Sequence, residues 1–300
     1  WSDNCYLHAD FACSGSISYS ATVGNTACRA PGVVQSVALH EHVLEAVADT
    51  LSLSAETVRE RNMYAVGDTT PFGLTLGSAS VNWLVPQLWA AAKTEWNVAA
   101  RRDAISTFNA SSTFRKRGLC MMPIKYGVGV GGSDKCMSAV VRIFADDGSV
   151  IVTHAGCEIG QGIHVKVAQA VAYALQCPLE QVIVGDTSST DAANGADTGG
   201  SIGSETCVAA ALDACAKLSE ALAPYRPNAA TADWAATVAA AAASGVNLCG
   251  YGWYTQPVAP GQTPGFEFDY ATQGVCCAEA EIDTLTGECC VRRLDVTMDQ

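Results

Sequence analysis

The stretch GCEIGQG, residues 156–162, brings three glycines together and places Glu158 and Gln161 between them. Glycine permits positive φ angles and lets a ligand approach the backbone closely. From Ile163 onward, apolar residues recur at helical spacing, so a helix is predicted to begin directly after the loop. A helix start offers unpaired N–H groups and a partial positive charge, which suit a phosphate or another electron-rich group. An ordinary strand-to-helix turn explains the same residues equally well, and the spacing fits neither GxGxxG nor a Walker loop.

A second stretch, DTSSTDAANGADTGGSIGSET at residues 186–206, also ends in glycines before a predicted helix, Glu205–Ala223. Long runs of small and polar residues inside a globular chain are often functional, although a surface loop is the simpler interpretation. Two glycine-rich loops that each lead into a helix favour a cradle for one extended ligand.

The elements that must position these loops alternate between helix and strand. Two strands, Ala139–Ala145 and Ser149–His154, are predicted to lead into the first loop. Further helices are predicted over Val34–Leu51, Ser54–Asn62, Trp83–Arg101 and Ala232–Ala243, and further strands over Gln181–Gly185, Leu248–Gln256, Thr272–Asp283 and Glu288–Asp299. The chain is expected to adopt an α+β fold, with both helices and small sheets.

Composition and net charge argue against several classes of function. The 300 residues carry a net charge of −13, which argues against a nucleic-acid surface, and no apolar run is long enough to span a bilayer. The one basic run, Arg115 to Arg117, is predicted to be a solvated surface. With 49% apolar and 16% charged residues, the chain has the composition of a packed globular protein.

Cysteine and histidine usage argues against protein-bound metal within this chain. The 14 cysteines include no CxxC pair, which argues against a zinc ribbon or an iron–sulfur cluster. His40 and His42 lie two residues apart on a predicted helix and therefore on different faces. Reduced thiols in an intracellular protein are expected, with a cytoplasmic location favoured and a peroxisomal one left open.

Six motifs together resemble the molybdenum-binding part of the xanthine dehydrogenase/aldehyde oxidase family, and they follow the family's order over nearly the whole chain. They are NTACRAPGVVQ, VRERNMYAVGD, KRGLCMMPIKYGVGV, HAGCEIGQGIHVK, TGGSIGSE and AEAEIDTLTGE. The resemblance implies the mixed helices and small sheets of the molybdopterin-binding domains of molybdenum hydroxylases. It divides the chain into residues 1–66, the C-terminal part of a first molybdopterin-binding domain, residues 67–112, a connecting segment, and residues 113–300, a second such domain truncated at its C-terminus.

The resemblance also implies a molybdopterin cofactor and assigns residues to it. Cofactor-binding positions are Arg29, Gly160, Gln161, Gly162, Thr198, Gly199, Gly200, Ser201, Ile202 and Gly203. Among these, Arg29 and Gly200 are expected as neighbours of the molybdenum rather than side-chain ligands, because the cofactor's dithiolene binds the metal. Glu158 is expected to be a structural loop residue rather than a base.

The activity implied is hydroxylation of small-molecule aldehydes or N-heterocycles with water as the oxygen source. In the full-length enzyme, electrons would leave through [2Fe–2S] clusters and FAD to NAD or dioxygen, in a homodimer. The catalytic glutamate is expected beyond Gln300 and the redox domains before Trp1, so this chain alone is expected to be inactive.

Residues at three positions indicate which class of substrate the enzyme prefers. Pro31 stands where xanthine dehydrogenases have an aromatic residue, and Val130 and Gly131 match a Phe-Thr pair in those enzymes. The changes favour an aldehyde oxidase, with xanthine dehydrogenase as the alternative. A third alternative is a non-catalytic paralogue that keeps the fold, favoured by the high cysteine content and by glycine at positions 199 and 200.

Overall fold

The computed structural model describes residues 2–16, 18–23, 29–30, 32–78, 81–129, 136–226, 228, 232–255, 268 and 270–299. Its helices are α1 Val33–Leu51, α2 Ala55–Asn62, α3 Val85–Glu95, α4 Val98–Ser111, α5 Ile163–Leu175, α6 Gly203–Leu222 and α7 Trp234–Ala243. Its strands are β1 Arg115–Val128, β2 Cys136–Ile143, β3 Val150–His154, β4 Val182–Val184, β5 Cys249–Thr255, β6 Tyr270–Asp283 and β7 Cys289–Asp299. The predicted α+β class is confirmed.

The chain forms two compact units. The first holds α1–α4, β1 and the β6–β7 hairpin, and the second holds the elements from β2 to β5. The units are not divided at residues 66 or 112, because β1 pairs with β6 and so stays with the first unit. The predicted assignment of residues to two family domains is a separate statement and stays a prediction.

In the first unit, a buried ion pair ties α1 to α2. The fully buried Arg59 donates from Nε to Glu41 at 2.7 Å and from Nη2 to Glu45 at 2.6 Å. The Tyr6 hydroxyl and the Asn4 amide both donate to the other oxygen of Glu41, at 2.7 and 2.8 Å. These bonds satisfy a carboxylate that would otherwise be costly to bury. Ser54 caps the start of α2, since its Oγ accepts the Thr57 N–H at 3.1 Å.

The single helix predicted over Trp83–Arg101 is wrong. Helix α3 ends at Glu95 and α4 begins at Val98, because Asn97 adopts a left-handed conformation with φ of 50°. Asparagine tolerates this conformation better than most residues, which allows a break without glycine or proline.

The predicted solvated surface at residues 115–117 holds for the exposed Arg115 but not for Lys116 and Arg117, which are half-buried. The run lies on β1, where the Lys116 Nζ donates to two carbonyl oxygens near the end of α4, each at 2.6 Å. Arg117 donates to Glu281 at 2.8 Å, and its guanidinium lies 3.7 Å from the centroid of the Phe108 ring. The basic side chains therefore attach α4 and β6 to β1.

The second unit is a four-stranded sheet in the order β4-β3-β2-β5, with β4 parallel to β3 and the other pairs antiparallel. The two strands predicted before the first loop are confirmed as β2 and β3, which pair with Val141 opposite Val152. Helices α5 and α6 bury their apolar faces against this sheet in one core cluster, which includes Val141, Val152, Val167, Val171, Ala210, Ala214 and Leu218. No helix of the described ranges combines the length and apolarity needed to cross a membrane.

Two glycines on β5 let α6 approach the sheet. A Cβ on Gly252 would lie 1.9 Å from the Ala210 carbonyl oxygen, and one on Gly250 would lie 2.8 Å from the Ala214 oxygen. Both distances are below normal contact, so any side chain at these positions forces the helix away from the strand.

Candidate functional site

The first glycine loop joins β3 to α5 and presents open backbone. Gly160 and Gly162 have φ angles of 97° and 74°, which favour glycine. A Cβ placed on either would meet no atom within 4 Å. Both glycines therefore border free space from which a ligand can reach the backbone.

Glu158 folds back over the start of α5. Its Oε1 accepts the N–H groups of Gly160 at 2.8 Å and Gly162 at 3.1 Å, and its Oε2 accepts the His164 N–H at 3.5 Å. Desolvation is the largest single effect and opposes ionisation, but the N–H groups of Gly162, Gly160, His164 and Ile163 together prevail and lower the pKa of Glu158. The structural role predicted for Glu158 is confirmed. The Gly160 and Gly162 N–H groups, which the sequence analysis proposed for binding a phosphate, are therefore occupied by the Glu158 carboxylate.

Gln161 closes the same loop with its side chain. Its Oε1 accepts the Ile159 N–H at 2.7 Å, and its Nε2 donates to the Cys157 carbonyl at 2.8 Å. The side chain thus fixes the peptide groups of the loop that borders the open space. A contact between Gln161 and the cofactor stays a prediction.

The two glycine-rich loops meet in the second unit. The Cys157 N–H donates to Thr198 Oγ1 at 2.8 Å, and Lys166 Nζ donates to Ser204 Oγ at 3.0 Å in the first turn of α6. In the second loop, Gly200 and Ser201 adopt φ angles of 67° and 65° directly before α6. The second loop therefore combines a left-handed backbone with the start of α6 and the nearby Lys166 ammonium group. Together these features favour the binding of a negatively charged group.

The third glycine of the first loop has a different purpose. A Cβ on Gly156 would lie 2.6 Å from Cys207 Sγ and 3.0 Å from Ile163 Cδ1. Gly156 therefore allows the loop to pack against α5 and α6, whereas Gly160 and Gly162 face free space.

Sequence reasoning missed a histidine pair beside the loop. His154, fully buried at the end of β3, has its Nδ1 3.2 Å from the Gly156 N–H and its Nε2 3.1 Å from His164 Nδ1. The signal available was a histidine at the inner end of a predicted strand, directly before a glycine loop.

The remaining predicted site residues belong to other parts of the sequence. Arg29 is exposed and belongs to the first unit, whereas both loops belong to the second. Pro31, Val130 and Gly131 lie outside the described residues. Within the described ranges, no group of three or more His, Cys, Asp or Glu side chains is placed to hold a metal ion. A cavity of about 460 Å³ in the first unit is lined by Arg115 and hairpin residues such as Glu281, none of them predicted for the site.

Comparison with protein families gives two matches to models described as molybdopterin cofactor-binding domains. One covers residues 1–63 and the other residues 91–300. Similar curated proteins include a nicotinate hydroxylase and a xanthine dehydrogenase of Emericella nidulans, at 35% and 37% identity, and aldehyde oxidase 1 of Cavia porcellus, at 33%. Each alignment covers 99% of this chain but only 22% of the relative, so the chain spans about a fifth of their length.

Solved structures show the same fold. An aldehyde oxidoreductase from Desulfovibrio desulfuricans superposes with a TM-score of 0.72 at 21% identity, over 90% of this chain and 29% of that one. A Cu,Mo-CO dehydrogenase superposes with a TM-score of 0.71 at 21% identity, over 89% and 37%. The chain belongs to the molybdopterin cofactor-binding domain family, whose members here are named as xanthine dehydrogenases, aldehyde oxidases and related hydroxylases.

Proposed function

We propose that this chain is the molybdopterin-binding segment of an enzyme that hydroxylates aldehydes or N-heterocycles with oxygen from water. The observation that carries the proposal is the pair of glycine loops in the second unit, joined by the bond from Cys157 to Thr198 and bordered by open backbone at Gly160 and Gly162. They lie within the longer of the two matches to molybdopterin-binding models.

The residues present fit such a cofactor. The open faces of Gly160 and Gly162 suit a flat pterin, and Lys166 beside the first turn of α6 suits its anionic tail. We assign the cofactor's contacts in the second unit to residues 160–162 and 198–203. For Arg29, in the first unit, the role implied by the resemblance stays a prediction. When bound, the cofactor supplies the metal centre at which substrate is oxidised. When the cofactor is bound, the two loops of this chain would hold it and orient it.

The substrate class rests on three positions and on the relatives' names. Those names include nicotinate, xanthine and aldehyde, at identities of 33–37%, so the identities do not separate the classes. Pro31 and Val130 lack the aromatic faces on which a flat purine stacks, which favours an aldehyde as the preferred substrate. Xanthine dehydrogenase activity is the second candidate, because a relative of that name is among those of comparable identity.

The rest of the full-length enzyme follows from the resemblance alone. We infer that the full-length enzyme carries [2Fe–2S] clusters and FAD and transfers electrons to NAD or dioxygen. The same resemblance implies that it is a homodimer in the cytoplasm.

Cofactor binding is tested by measuring molybdenum per protein in the purified full-length protein and in its Gln161→Ala variant. Loss of two side-chain bonds within the loop is expected to weaken retention of the cofactor about tenfold. Gln169→Ala, on the exposed face of α5, is the matched control and should retain wild-type content. A wild-type protein without molybdenum would overturn the proposed function, whereas full content in Gln161→Ala would remove only Gln161 from the site.

A further inference from the structure

The histidine pair beside the first glycine loop is not explained by any contact proposed for the cofactor. His154 ends β3 and is fully buried, while His164 lies half-buried in the first turn of α5. The two rings therefore connect the strand that enters the loop with the helix that leaves it. Their centroids are 5.2 Å apart, with 49° between the ring planes.

The hydrogen bonds fix the protons on both rings. A backbone N–H can only donate, so His154 Nδ1 must accept from Gly156 and carry no proton. The proton of neutral His154 is then on Nε2, from which it donates to His164 Nδ1. His164 Nδ1 must in turn be unprotonated. A proton added to His154 Nδ1 breaks the hydrogen bond from Gly156, and one added to His164 Nδ1 breaks the hydrogen bond from His154.

From these contacts we propose that His154 and His164 form a neutral hydrogen-bond relay that holds the 156–162 loop in the position required by its ligand. The inference rests on the proposed function only in naming that ligand as the molybdopterin cofactor. Both histidines are positioning residues, since they act through the backbone of Gly156 and the start of α5.

The electrostatic surroundings favour the neutral relay. Among the described residues, the titratable groups that face it are Glu158 from the loop and Cys207 from α6, where burial raises the pKa of Cys207 to about 11 and keeps the thiol uncharged. Burial, followed by repulsion from His164, lowers the pKa of His154 from its usual 6.5 to about 4, against a weaker opposing effect of Glu158.

Protonation of His154 makes the closed loop less stable at low pH. Because an open loop exposes His154 and restores its usual pKa, the open state takes up the proton first as the pH falls. The relay therefore stabilises the closed loop fully above about pH 6.5 and progressively less down to pH 4. Between pH 8 and pH 5, the population of the open loop should rise up to about 30-fold.

The test measures amide hydrogen exchange of the peptide covering residues 155–164 in the full-length protein, at pH 8 and pH 5, after correction for intrinsic exchange. Four variants are compared with wild type. His154→Asn can still accept from Gly156 but cannot titrate. His164→Asn can still accept from His154, whereas His164→Leu cannot. His42→Asn, on the exposed part of α1, is the matched control.

We expect the wild type and the His42→Asn variant to show the increase in exchange at pH 5, and His154→Asn to lose most of it. His164→Leu should exchange about tenfold faster than wild type at pH 8, and His164→Asn should restore most of the protection. A full pH response in His154→Asn, or equal exchange in the two His164 variants, overturns the relay. If His154→Asn does not fold, the comparison of the two His164 variants decides the question.

Molybdenum retention on dialysis at the two pH values separates this inference from the proposed function. A relay that positions the cofactor predicts faster loss at pH 5 in wild type and at pH 8 in His164→Leu. Hydrogen exchange as expected in a protein that binds no molybdenum would keep the relay and reject the cofactor. Molybdenum that is present but equally retained in all variants would reject the positioning role.

Discussion

At the scale of single residues, the three glycines of the first loop make different demands on a substitution. Gly156→Ala would put a methyl group 2.6 Å from Cys207 Sγ, in a packed region where neither side can retreat far. We expect this variant to lose about 1–3 kcal/mol of unfolding free energy, measured by urea denaturation. In the double variant Gly156→Ala/Cys207→Ala, the shorter side chain at residue 207 should recover part of the lost unfolding free energy. Equal stability of Gly156→Ala and wild type would show that the loop moves freely at this point.

The loop also shows how far single residues could be predicted. Its glycines and the helix after it follow from residue type and spacing, because these are local properties of the backbone. The structural role of Glu158 was implied by the family resemblance. The role of Gly156 depends on Cys207 of α6, which lies about 50 residues further along the chain, and no local pattern contains that contact. The same limit applies to Arg117, whose partner Glu281 is distant in sequence.

At the scale of elements, the close approach of α6 to β5 depends on Gly252. The methyl group of Gly252→Ala would overlap the Ala210 carbonyl, which belongs to helix backbone and cannot rotate away as a side chain does. The variant is expected to lose about 3 kcal/mol of stability, and the cooperative unfolding of the second unit should shift accordingly in urea. Gly118→Ala, on β1 with no atom within 4 Å of the added methyl group, is the matched control. A Gly252→Ala variant as stable as Gly118→Ala would contradict the observed packing.

Elements with strong local signals were predicted with small shifts at their ends. Helix α1 and the β6–β7 hairpin are examples, since an apolar stripe and a turn with Gly287 mark them. The break at Asn97 was missed because the apolar periodicity continues across it from α3 into α4. The identity of the site came from six motifs in series rather than from any one element, since each motif alone is compatible with an ordinary loop or turn.

At the scale of the whole molecule, each unit has its own buried clusters, yet the chain spans only 22% of the length of its curated relatives. Substrate choice is therefore a property of the full-length protein. Two of the three positions that we propose for the substrate pocket, Pro31 and Val130, carry no aromatic ring. Under that proposal, a purine lacks stacking worth about 1 kcal/mol at each position, or about 30-fold in total.

We accordingly expect the full-length enzyme to show a higher kcat/KM for an aromatic aldehyde than for hypoxanthine. Replacing both positions with phenylalanine, in Pro31→Phe/Val130→Phe, should raise kcat/KM for hypoxanthine about tenfold or more, because the added rings supply the missing stacking. Val291→Phe, at an exposed position of β7, is the matched control and should change neither value. If the wild-type enzyme prefers hypoxanthine, xanthine dehydrogenase becomes the first candidate. In that case the purine must be held by contacts other than stacking at residues 31 and 130.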